Sequence, residues 1–550
     1  MTATAQPESG LDNEAPARID DHRSTMSWPI AFGGSAAVVA AAIGFGELTA
    51  AVLDVPSPLA AVATDVIDAV PKAVKDFAIS TFGTADKTAL GIGIFVLLVA
   101  TGAWLLRAAV HRPRVRIVGV AAFTAIGLFV VDVGSDGPGA VVPTAVAVTT
   151  AGLGLWLLRR GDLGETSSPL PKSLPEPSAS RRAEPMVRNR WQASVDRRQF
   201  VTKAAALSAT GVTAGLISRG IAGAEETAVR AGVRLPAIPR TGPAAAPTVA
   251  SGTSVGNGVA PYITPADEFY RIDTAFVTPS VDLATWRLRI DGKVDRPLSL
   301  SFDDLLDRDV VERIVTLSCV SNEVGGDLVG NAKWLGIPLA ALLDEAGVRS
   351  GGDQIAMTSV DGWTCGFPTK VAMDGRDAML AIGMNGEPLP VRHGFPARIV
   401  VPGLYGYVSA TKWIERIELT GWDEFDGYWI PRGWAKEAPI KTQSRIDVPR
   451  RGRPVQAGTV AIAGVAWAPH RGIERVEVQI DDGAWSETRL GDEPSIDGWR
   501  QWIFEWDATP GEHRVRVRAT DGDGDTQTGE RTTPDPDGAT GWHTVTVQVD

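Results

Sequence analysis

A cysteine at a strand end is the first residue of this sequence whose type and position could do chemistry. Cys319 follows the β-like run Val315-Thr316-Leu317 after one further residue, so we expect its thiol at or just past the end of a strand. A thiolate in such a place is a soft, strongly donating ligand, suited to a metal that sulfur already holds. The alternative is a buried free cysteine that packs as a small hydrophobe. The local sequence leaves both interpretations open.

The sequence contains one other cysteine, Cys365, within Gly362-Trp363-Thr364-Cys365-Gly366. Two cysteines exclude a disulfide scaffold and a zinc site with paired CxxC spacing, and they leave one disulfide open. We interpret Cys365 as a structural residue.

A series of short motifs around and after Cys319 resembles the sulfite oxidase family of molybdopterin enzymes. The motifs occur in the family's order and at suitable spacing, and the resemblance covers about residues 262–550. They are Cys319-Val320-Ser321-Asn322, Trp334-Leu335-Gly336-Ile337-Pro338-Leu339, Met384-Asn385-Gly386-Glu387-Pro388-Leu389-Pro390, His393-Gly394-Phe395-Pro396, Arg398, Val401-Pro402-Gly403 and Lys412-Trp413. Each motif is weak alone, and together they are specific.

The resemblance implies that Cys319 binds molybdenum beside the dithiolene of one molybdopterin. It also implies a set of residues that line the cofactor: Tyr270, Arg271, Asp273, Asn322, Asp361, His393, Arg398, Ser409 and Lys412. The cofactor bears a phosphate, which needs cationic and N–H donors such as Arg398, His393 and Lys412. The alternatives are surface ion pairs for the arginine and the lysine, and an ordinary core position for the histidine.

Two arginines resemble the residues with which sulfite-oxidising members of the family hold their substrate. Arg271 matches one of these positions, and Arg471, from the C-terminal part, resembles a second. Two guanidinium groups would hold an oxyanion such as sulfite by bidentate charge-assisted hydrogen bonds. An arginine before a strand is more often solvated, so the role of Arg471 is a hypothesis.

The sequence departs from the animal and plant sulfite oxidases at this pocket. Asp273 stands where they usually carry histidine, and the segment 406–412 is one residue longer than its counterpart. Because these changes lie at the substrate pocket, both sulfite and an S-oxide are weighed as substrates. No haem, flavin or nicotinamide domain is recognisable, so electrons are expected to pass to or from a separate partner.

The first third of the chain has a different composition, typical of a membrane domain. Ala, Val, Leu and Gly crowd the first 160 residues, and several stretches approach the roughly 20 apolar residues that cross a bilayer. The four candidate spans are residues 28–53, 88–106, 117–133 and 140–158. A weaker apolar run, residues 204–222, is a fifth crossing, a buried helix or a signal-peptide core.

Basic residues define the expected topology of these spans. Four arginines between residues 107 and 116 place the connection of the second and third spans, and hence the tail 1–27, in the cytoplasm. The basic linker 159–196 is also expected inside, so a fifth crossing at 197–223 would export all that follows. Residues 196–203, Asp-Arg-Arg-Gln-Phe-Val-Thr-Lys, resemble a twin-arginine export signal. The alternative, the basic flank of a membrane helix, gives the same topology.

Composition also excludes some cofactors and partners. A net charge of −12 without a basic domain argues against nucleic acid as the main partner. His22 and His111 both lie outside the apolar stretches, so a haem with two histidine ligands is not predicted in the membrane.

The exported part is predicted to contain two domains after a linker at residues 224–261. Residues 262–425 interleave strands and short helices, which indicates an α+β molybdopterin domain of the sulfite oxidase type. Regularly spaced strands in residues 439–550 suggest a β-sandwich of immunoglobulin type, which the family uses for dimerisation. The fold class is therefore multi-domain, with N-terminal transmembrane helices.

These features predict a multi-pass membrane protein whose catalytic domain lies on the extracytoplasmic side. The favoured reaction is oxidation of sulfite at a molybdenum that cycles between Mo(VI) and Mo(IV). One alternative is an exported S-oxide reductase of the same family, of the methionine sulfoxide type. The other, from a different class, is a cofactor-free, membrane-tethered binding or dimerisation protein.

Overall fold

A computed structural model describes residues 27–53, 55, 57–71, 74, 86–111, 141–159, 190–238, 248–256 and 258–550. The chain divides into two compact units. The first unit lies within residues 1–59 and 91–218, and the second lies within residues 60–90 and 219–550.

The N-terminal part is helical. Its helices are α1 (Trp28–Leu53), α2 (Pro58–Ala69), α3 (Asp86–His111), α4 (Val141–Arg159) and α5 (Arg190–Gly232). Within the described residues, four stretches are long and apolar enough to cross a membrane: 28–53, 87–107, 141–158 and 198–221. The bounds of α1 agree with the expectation, whereas the expected span 117–133 lies outside the described residues.

Helix α5 corrects two of the sequence expectations. It runs continuously over 43 residues, so residues 190–196 and 224–232, expected in linkers, are helical. The reason is local, because no proline occurs between Pro185 and Pro236 and the segment is rich in alanine. The helix also packs closely on α1 in the first unit: a Cβ placed on Gly44 would lie 2.0 Å from the Gly211 carbonyl oxygen. Small residues allow this backbone approach between apolar helices.

Two five-stranded sheets form the framework of residues 288–420. One has the order β2-β1-β10-β5-β6, and the other has the order β3-β4-β7-β8 with β9 paired to β7. The elements are β1 (Leu288–Gly292), β2 (Leu298–Leu300), α6 (Phe302–Leu306), β3 (Val311–Ser318), β4 (Val329–Pro338), α7 (Leu339–Ala346), β5 (Gln354–Ser359), β6 (Thr364–Pro368), α8 (Thr369–Ala372), β7 (Met379–Met384), β8 (Glu387–Pro388), β9 (Arg398–Val400), α9 (Gly406–Ser409) and β10 (Ile414–Thr420).

Local sequence explains the helix ends in this region. Ser301 caps α6 with a capping box to Asp304, and Gly347 ends α7 in the left-handed region with φ of 70°. The local sequence predicts a short helix beginning at residues 302–306 and a helix over residues 338–343 that ends near Gly347, and both helices are present. The local sequence also predicts a strand at residues 286–290 followed by a turn at Asp291-Gly292; this turn is wrong, because β1 continues through both residues in parallel pairing with β10.

The C-terminal region is built of two four-stranded antiparallel sheets, β11-β12-β16-β15 and β14-β13-β17-β18. Side chains of both sheets, such as Ile462 and Val515, share one core. The Thr509-Pro510-Gly511 turn links one sheet to the other. The strands are β11 (Gln443–Val448), β12 (Gly458–Trp467), β13 (Ile473–Ile480), β14 (Ser486–Glu487), β15 (Arg489–Leu490), β16 (Arg500–Ala508), β17 (Gly511–Asp521) and β18 (His543–Val549). The immunoglobulin type stays a prediction.

The C-terminal region also contributes to the core around β3. Trp467 and Trp499 are buried in the same cluster as Ile314 and Leu317 of that strand. The Trp499 indole donates to the Tyr262 carbonyl at 2.9 Å. The strand that leads to Cys319 is thus supported from the C-terminal region as well as from its own sheet. The division expected between residues 425 and 439 stays a prediction.

Candidate active site

Cys319 directly follows β3 and is 8% exposed. Its backbone N–H donates to the Leu328 carbonyl at 2.9 Å, and its carbonyl accepts from the Asn322 N–H at 3.1 Å. The Asn322 side-chain oxygen accepts from the Leu328 N–H at 2.9 Å, so this amide closes the loop around the cysteine. Burial raises the pKa of the Cys319 thiol, although hydrogen bonds from Ser321 lower it. A bound metal ion would displace the thiol proton.

Tyr270 lies in the electrostatic neighbourhood of both Cys319 and Arg398. Burial raises the pKa of its phenol far above the ordinary value, the cysteine raises it further, and the arginine lowers it. The start of α9 faces the same place, since a Cβ on Gly406 would lie 3.9 Å from the Tyr270 hydroxyl and from the Ser318 carbonyl oxygen. The end of β3, the tyrosine and the start of α9 therefore converge.

Arg398 is a buried cation in β9. It is 5% exposed, its Nη1 donates to the His393 carbonyl at 3.1 Å, and its guanidinium lies 5.0 Å from the Trp334 ring centroid. Burial lowers its pKa to about 10, so it remains charged at neutral pH. Its Nε has no hydrogen-bond partner among the described residues. A buried charged N–H without an acceptor is costly, and an anionic group would satisfy it.

His393 is buried and neutral. Its Nε2 lies 2.7 Å from the Ala266 carbonyl oxygen, and its ring meets Phe269 edge-on at 5.7 Å between centroids. Burial lowers its pKa to about 3, and the positive charge of Arg398 acts in the same direction. Nε2 must donate to the carbonyl, so that N–H is not free for a phosphate.

A second group of charges surrounds Asp273. Its carboxylate is 4% exposed and accepts from Lys412 Nζ at 2.6 Å and from Arg271 Nε at 2.9 Å. Lys87 pairs with the other carboxylate oxygen. Burial alone would raise the pKa of Asp273, but Lys412, Lys87 and Arg271 together hold it well below its usual range. Burial lowers the pKa of Lys412 to about 8, against the opposing effect of Asp273.

Asp361 and Ser409, also expected to line the cofactor, form hydrogen bonds within the protein. Asp361 accepts from the Trp363 N–H at 3.2 Å, in a turn that bonds to the Trp413 carbonyl through Val360 N–H. The Ser409 hydroxyl donates to the Tyr405 carbonyl at 3.0 Å. These contacts hold the two segments in place, and the cofactor roles of both residues stay predictions.

Arg471 lies in the connection between β12 and β13 and is also paired. Its Nε donates to Asp521 at 2.9 Å, and its Nη2 donates to Thr442 Oγ1 at 3.1 Å. Both Arg471 and Cys319 act electrostatically on Tyr405, a buried phenol whose pKa is raised to about 12, mainly by burial; Cys319 contributes to the rise and Arg471 opposes it. Arg471 is therefore within electrostatic range of the site, but it is paired with the Asp521 carboxylate.

Three residues of this neighbourhood were not expected from the sequence. Trp334 packs against Arg398, and Lys87 pairs with Asp273. Tyr405 interacts electrostatically with both Cys319 and Arg471. Trp334 and Tyr405 lie within or two residues after quoted motifs, which is the signal that could have found them. Lys87 is 186 positions from its partner, and nothing in its local sequence indicates the contact.

Cys365 is buried and its sulfur lies 3.0 Å from Thr411 Oγ1. Both cysteines are free thiols, so the open disulfide is not formed. This environment is consistent with the structural interpretation of Cys365.

Comparisons with known proteins agree with this geometry. The family model "Oxidoreductase molybdopterin binding domain" matches residues 275–429, which include β3, β9 and α9. The uncharacterized oxidoreductase YuiH of Bacillus subtilis is 33% identical over 153 residues, which cover 28% of this chain and 74% of that one. The chain belongs to the sulfite oxidase family of molybdopterin-binding oxidoreductases. The family predicted from the motifs is thereby confirmed, as is the implied cofactor class.

Other known proteins match over a larger part of this chain. Human mitochondrial sulfite oxidase is 30% identical over 303 residues, which cover 46% of this chain and 55% of that one. The chain thus spans about half the length of this relative. The solved sulfane dehydrogenase SoxCD of Paracoccus pantotrophus is 25% identical and covers 54% of this chain and 85% of that one, with a TM-score of 0.46.

Proposed function

We propose that this protein is a molybdenum–molybdopterin oxidoreductase that transfers oxygen to or from a small oxyanion, with sulfite as the favoured substrate. When bound, the cofactor supplies a two-electron centre that can accept or donate one oxygen atom. Sulfite and water would give sulfate, two protons and two electrons, and a separate protein would take the electrons. The observation that carries the proposal is a buried Arg398 whose Nε lacks an acceptor among the described residues, together with the buried Cys319 thiol; both act electrostatically on the same Tyr270 phenol.

The residues present fit an anionic, sulfur-rich cofactor. Cys319 would be the thiolate ligand, and Arg398 would donate its unpartnered Nε–H to the cofactor's anionic part. Lys412 adds a positive charge that Asp273 shares with two other cations. One carboxylate against Lys412, Arg271 and Lys87 leaves an excess of positive charge, which favours a phosphate or an oxyanion.

For the substrate, Arg271 is the candidate that approaches the solvent. Its side chain is 36% exposed and only its Nε is bonded to Asp273, while Nη2 donates to Thr278 Oγ1 at 3.1 Å. The guanidinium retains N–H groups that could bind an incoming sulfite. Arg471 would act as a second, more distant positive charge.

A specific observation favours the second candidate, reduction of a neutral S-oxide. Both arginines expected to hold an oxyanion, Arg271 and Arg471, are paired with a carboxylate, Asp273 and Asp521 respectively. Pairing weakens their attraction for an anion but leaves N–H donors for an S=O oxygen. That reaction would consume two electrons and two protons and release a sulfide and water.

We further propose that apolar helices anchor the protein in a membrane, with the catalytic part on the extracytoplasmic side. The four candidate spans and the arginines between residues 107 and 116 support this topology. The twin-arginine-like segment 196–203 and dimerisation through residues 439–550 remain part of the same proposal.

The test uses the full-length protein, purified in detergent from a host that makes molybdopterin. Molybdenum and pterin are measured first, then oxidation of sulfite with ferricyanide and reduction of methionine sulfoxide with a reduced viologen dye. We expect about one molybdenum per chain and activity with sulfite. Activity only with the sulfoxide would overturn the sulfite assignment, and absence of both metal and pterin would favour the binding protein.

A further inference from the structure

Lys87 connects a membrane-span candidate to the active-site region. It lies in the first turn of α3, the helix that contains the candidate span 87–107, and belongs to the same compact unit as residues 219–550. Its Nζ pairs with the Asp273 carboxylate and donates to the Ala275 carbonyl at 2.6 Å. The contact therefore ties the end of an apolar helix to the segment that carries Arg271 and Asp273.

The pair differs from an ordinary surface ion pair in its burial. Lys87 is 25% exposed and Asp273 is 4% exposed, whereas the pair Lys293–Glu424 is 36% and 58% exposed. Exposed pairs contribute little because water screens them, while a buried carboxylate depends strongly on its partners. A second bond, to Ala275, fixes the lysine against the backbone as well as the side chain.

The position of Asp273 gives this contact a consequence for the site. Its second oxygen binds Lys412 and Arg271, so the three cations share one carboxylate. Without Lys87, Asp273 would compensate only the other two, and the net charge of the group would fall by one unit. Its remaining partners would then be held more tightly and would be less available to an anion.

The topology expected from the sequence agrees with this contact. The arginines at and after residue 107 place that end of the span in the cytoplasm, so the end with Lys87 is outside. The catalytic part is expected on this same side, because the basic linker 159–196 lies inside and a fifth crossing at 197–223 follows it.

We propose that Lys87 is a positioning residue that the membrane segment contributes to the active site, holding Asp273 and thereby setting how strongly Arg271 and Lys412 attract an anion. The inference rests on the proposed function for the identity of that anion, but the contact itself can be tested without substrate or cofactor.

The first experiment measures acylation of lysines by a membrane-impermeant amine reagent in the full-length protein, followed by mass spectrometry. In the wild type we expect slow labelling of Lys87, and in Asp273→Asn roughly tenfold faster labelling, because a charge-assisted hydrogen bond protects the amine. The exposed Lys370 is the internal control and should label equally in both proteins. Equal labelling of Lys87 in both proteins would overturn the proposal, whatever the outcome for molybdenum or sulfite.

The second experiment compares Lys87→Met, Lys87→Arg and the control Lys293→Met in sulfite kinetics at low ionic strength. We expect Lys87→Met to raise KM for sulfite roughly fivefold with kcat within about twofold, because one charge is lost from the field that attracts the anion. Lys87→Arg should restore the KM, and Lys293→Met should leave both constants unchanged. A fall in kcat with unchanged KM, or a failure of the arginine to restore, would contradict the positioning role.

Discussion

The two charged groups of the site differ in how they are balanced. Around Asp273, three cations meet a buried carboxylate, and each has a protein partner. Around Arg398, a buried guanidinium contacts a carbonyl and the face of Trp334, and its Nε has no acceptor among the described residues. The first group is largely satisfied by the protein, whereas the second is incomplete without a ligand.

This difference indicates where each ligand would act. A buried N–H without an acceptor costs free energy that a bound anion would recover, so Arg398 is suited to a cofactor that stays. The group around Asp273 keeps only a partial excess of positive charge, which suits a substrate that must leave again. The two groups should therefore respond in opposite ways when a charge is removed.

The largest effect is expected at Cys319, because neither charged group offers a thiolate to the metal. Cys319→Ala should lower the molybdenum content of the purified protein by at least about tenfold, because a thiolate ligand is lost. Elemental analysis of the full-length protein measures this. Cys365→Ser is the matched control, since a hydroxyl can keep the contact with Thr411, and it should retain the metal. Metal at wild-type occupancy in Cys319→Ala would refute the ligand assignment.

The second effect is the loss of stability when the group around Asp273 loses its carboxylate. Asp273→Asn removes the carboxylate shared by the mostly buried Lys412 and two partly exposed cations, and should reduce the free energy of unfolding of cofactor-free protein by about 2 kcal/mol at pH 7. The folded pKa of Asp273 is lowered, so its stabilisation is present above the unfolded value near 3.9 and is lost as pH falls further.

Thermal unfolding from pH 8 to pH 3 measures this difference between the wild type and Asp273→Asn. The difference should be constant between about pH 5 and pH 7, where Lys412 stays charged in the wild type, and should shrink below about pH 4. Asp295→Asn, in an exposed pair with Arg349, is the control and should change little. A difference that grows toward acid pH would show that the carboxylate is not held ionised.

Sequence patterns predicted those parts of the molecule that depend on local residues. The bounds of α1 follow from a long apolar run with a single charged residue, Glu47, and the helices predicted at residues 302–306 and before Gly347 are α6 and α7. Cys319 was expected at a strand end and lies directly after β3. Each of these features is encoded within a few positions of the residue concerned.

The partners of the charged residues could not be predicted in this way. Lys87 and Asp273 are 186 positions apart, and Arg471 and Asp521 are 50 apart, so no local pattern records either pair. His393 was expected to donate to the cofactor, but its Nε2 proton is given to Ala266, which only the folded backbone brings within 2.7 Å. Burial and long-range pairing decide these roles, and both depend on the complete fold.

The third effect tests the group around Arg398, where the stability of the protein and its binding of the cofactor should change in opposite directions. Arg398→Met removes a buried charge with an unpartnered N–H, so cofactor-free protein should become more stable by about 1 kcal/mol. The same change should lower pterin retention roughly tenfold, because a charge-assisted hydrogen bond is lost. Thermal unfolding and pterin fluorescence after gel filtration measure the two effects. Arg349→Met is the exposed control, and loss of stability in Arg398→Met would contradict the comparison.

The smallest effect concerns Lys412, the most buried of the three cations around Asp273. Burial lowers the pKa of Lys412 to about 8, so its charge should fall between pH 7 and pH 9. The KM for sulfite should then rise about threefold more over this range in the wild type than in Lys412→Arg, whose guanidinium stays charged. The ratio of the two KM values at each pH cancels the titration of sulfite itself. If the ratio does not change through pH 8, any alkaline change in KM comes from another group. Lys412 would then have a structural role and would not contribute to the attraction of the anion.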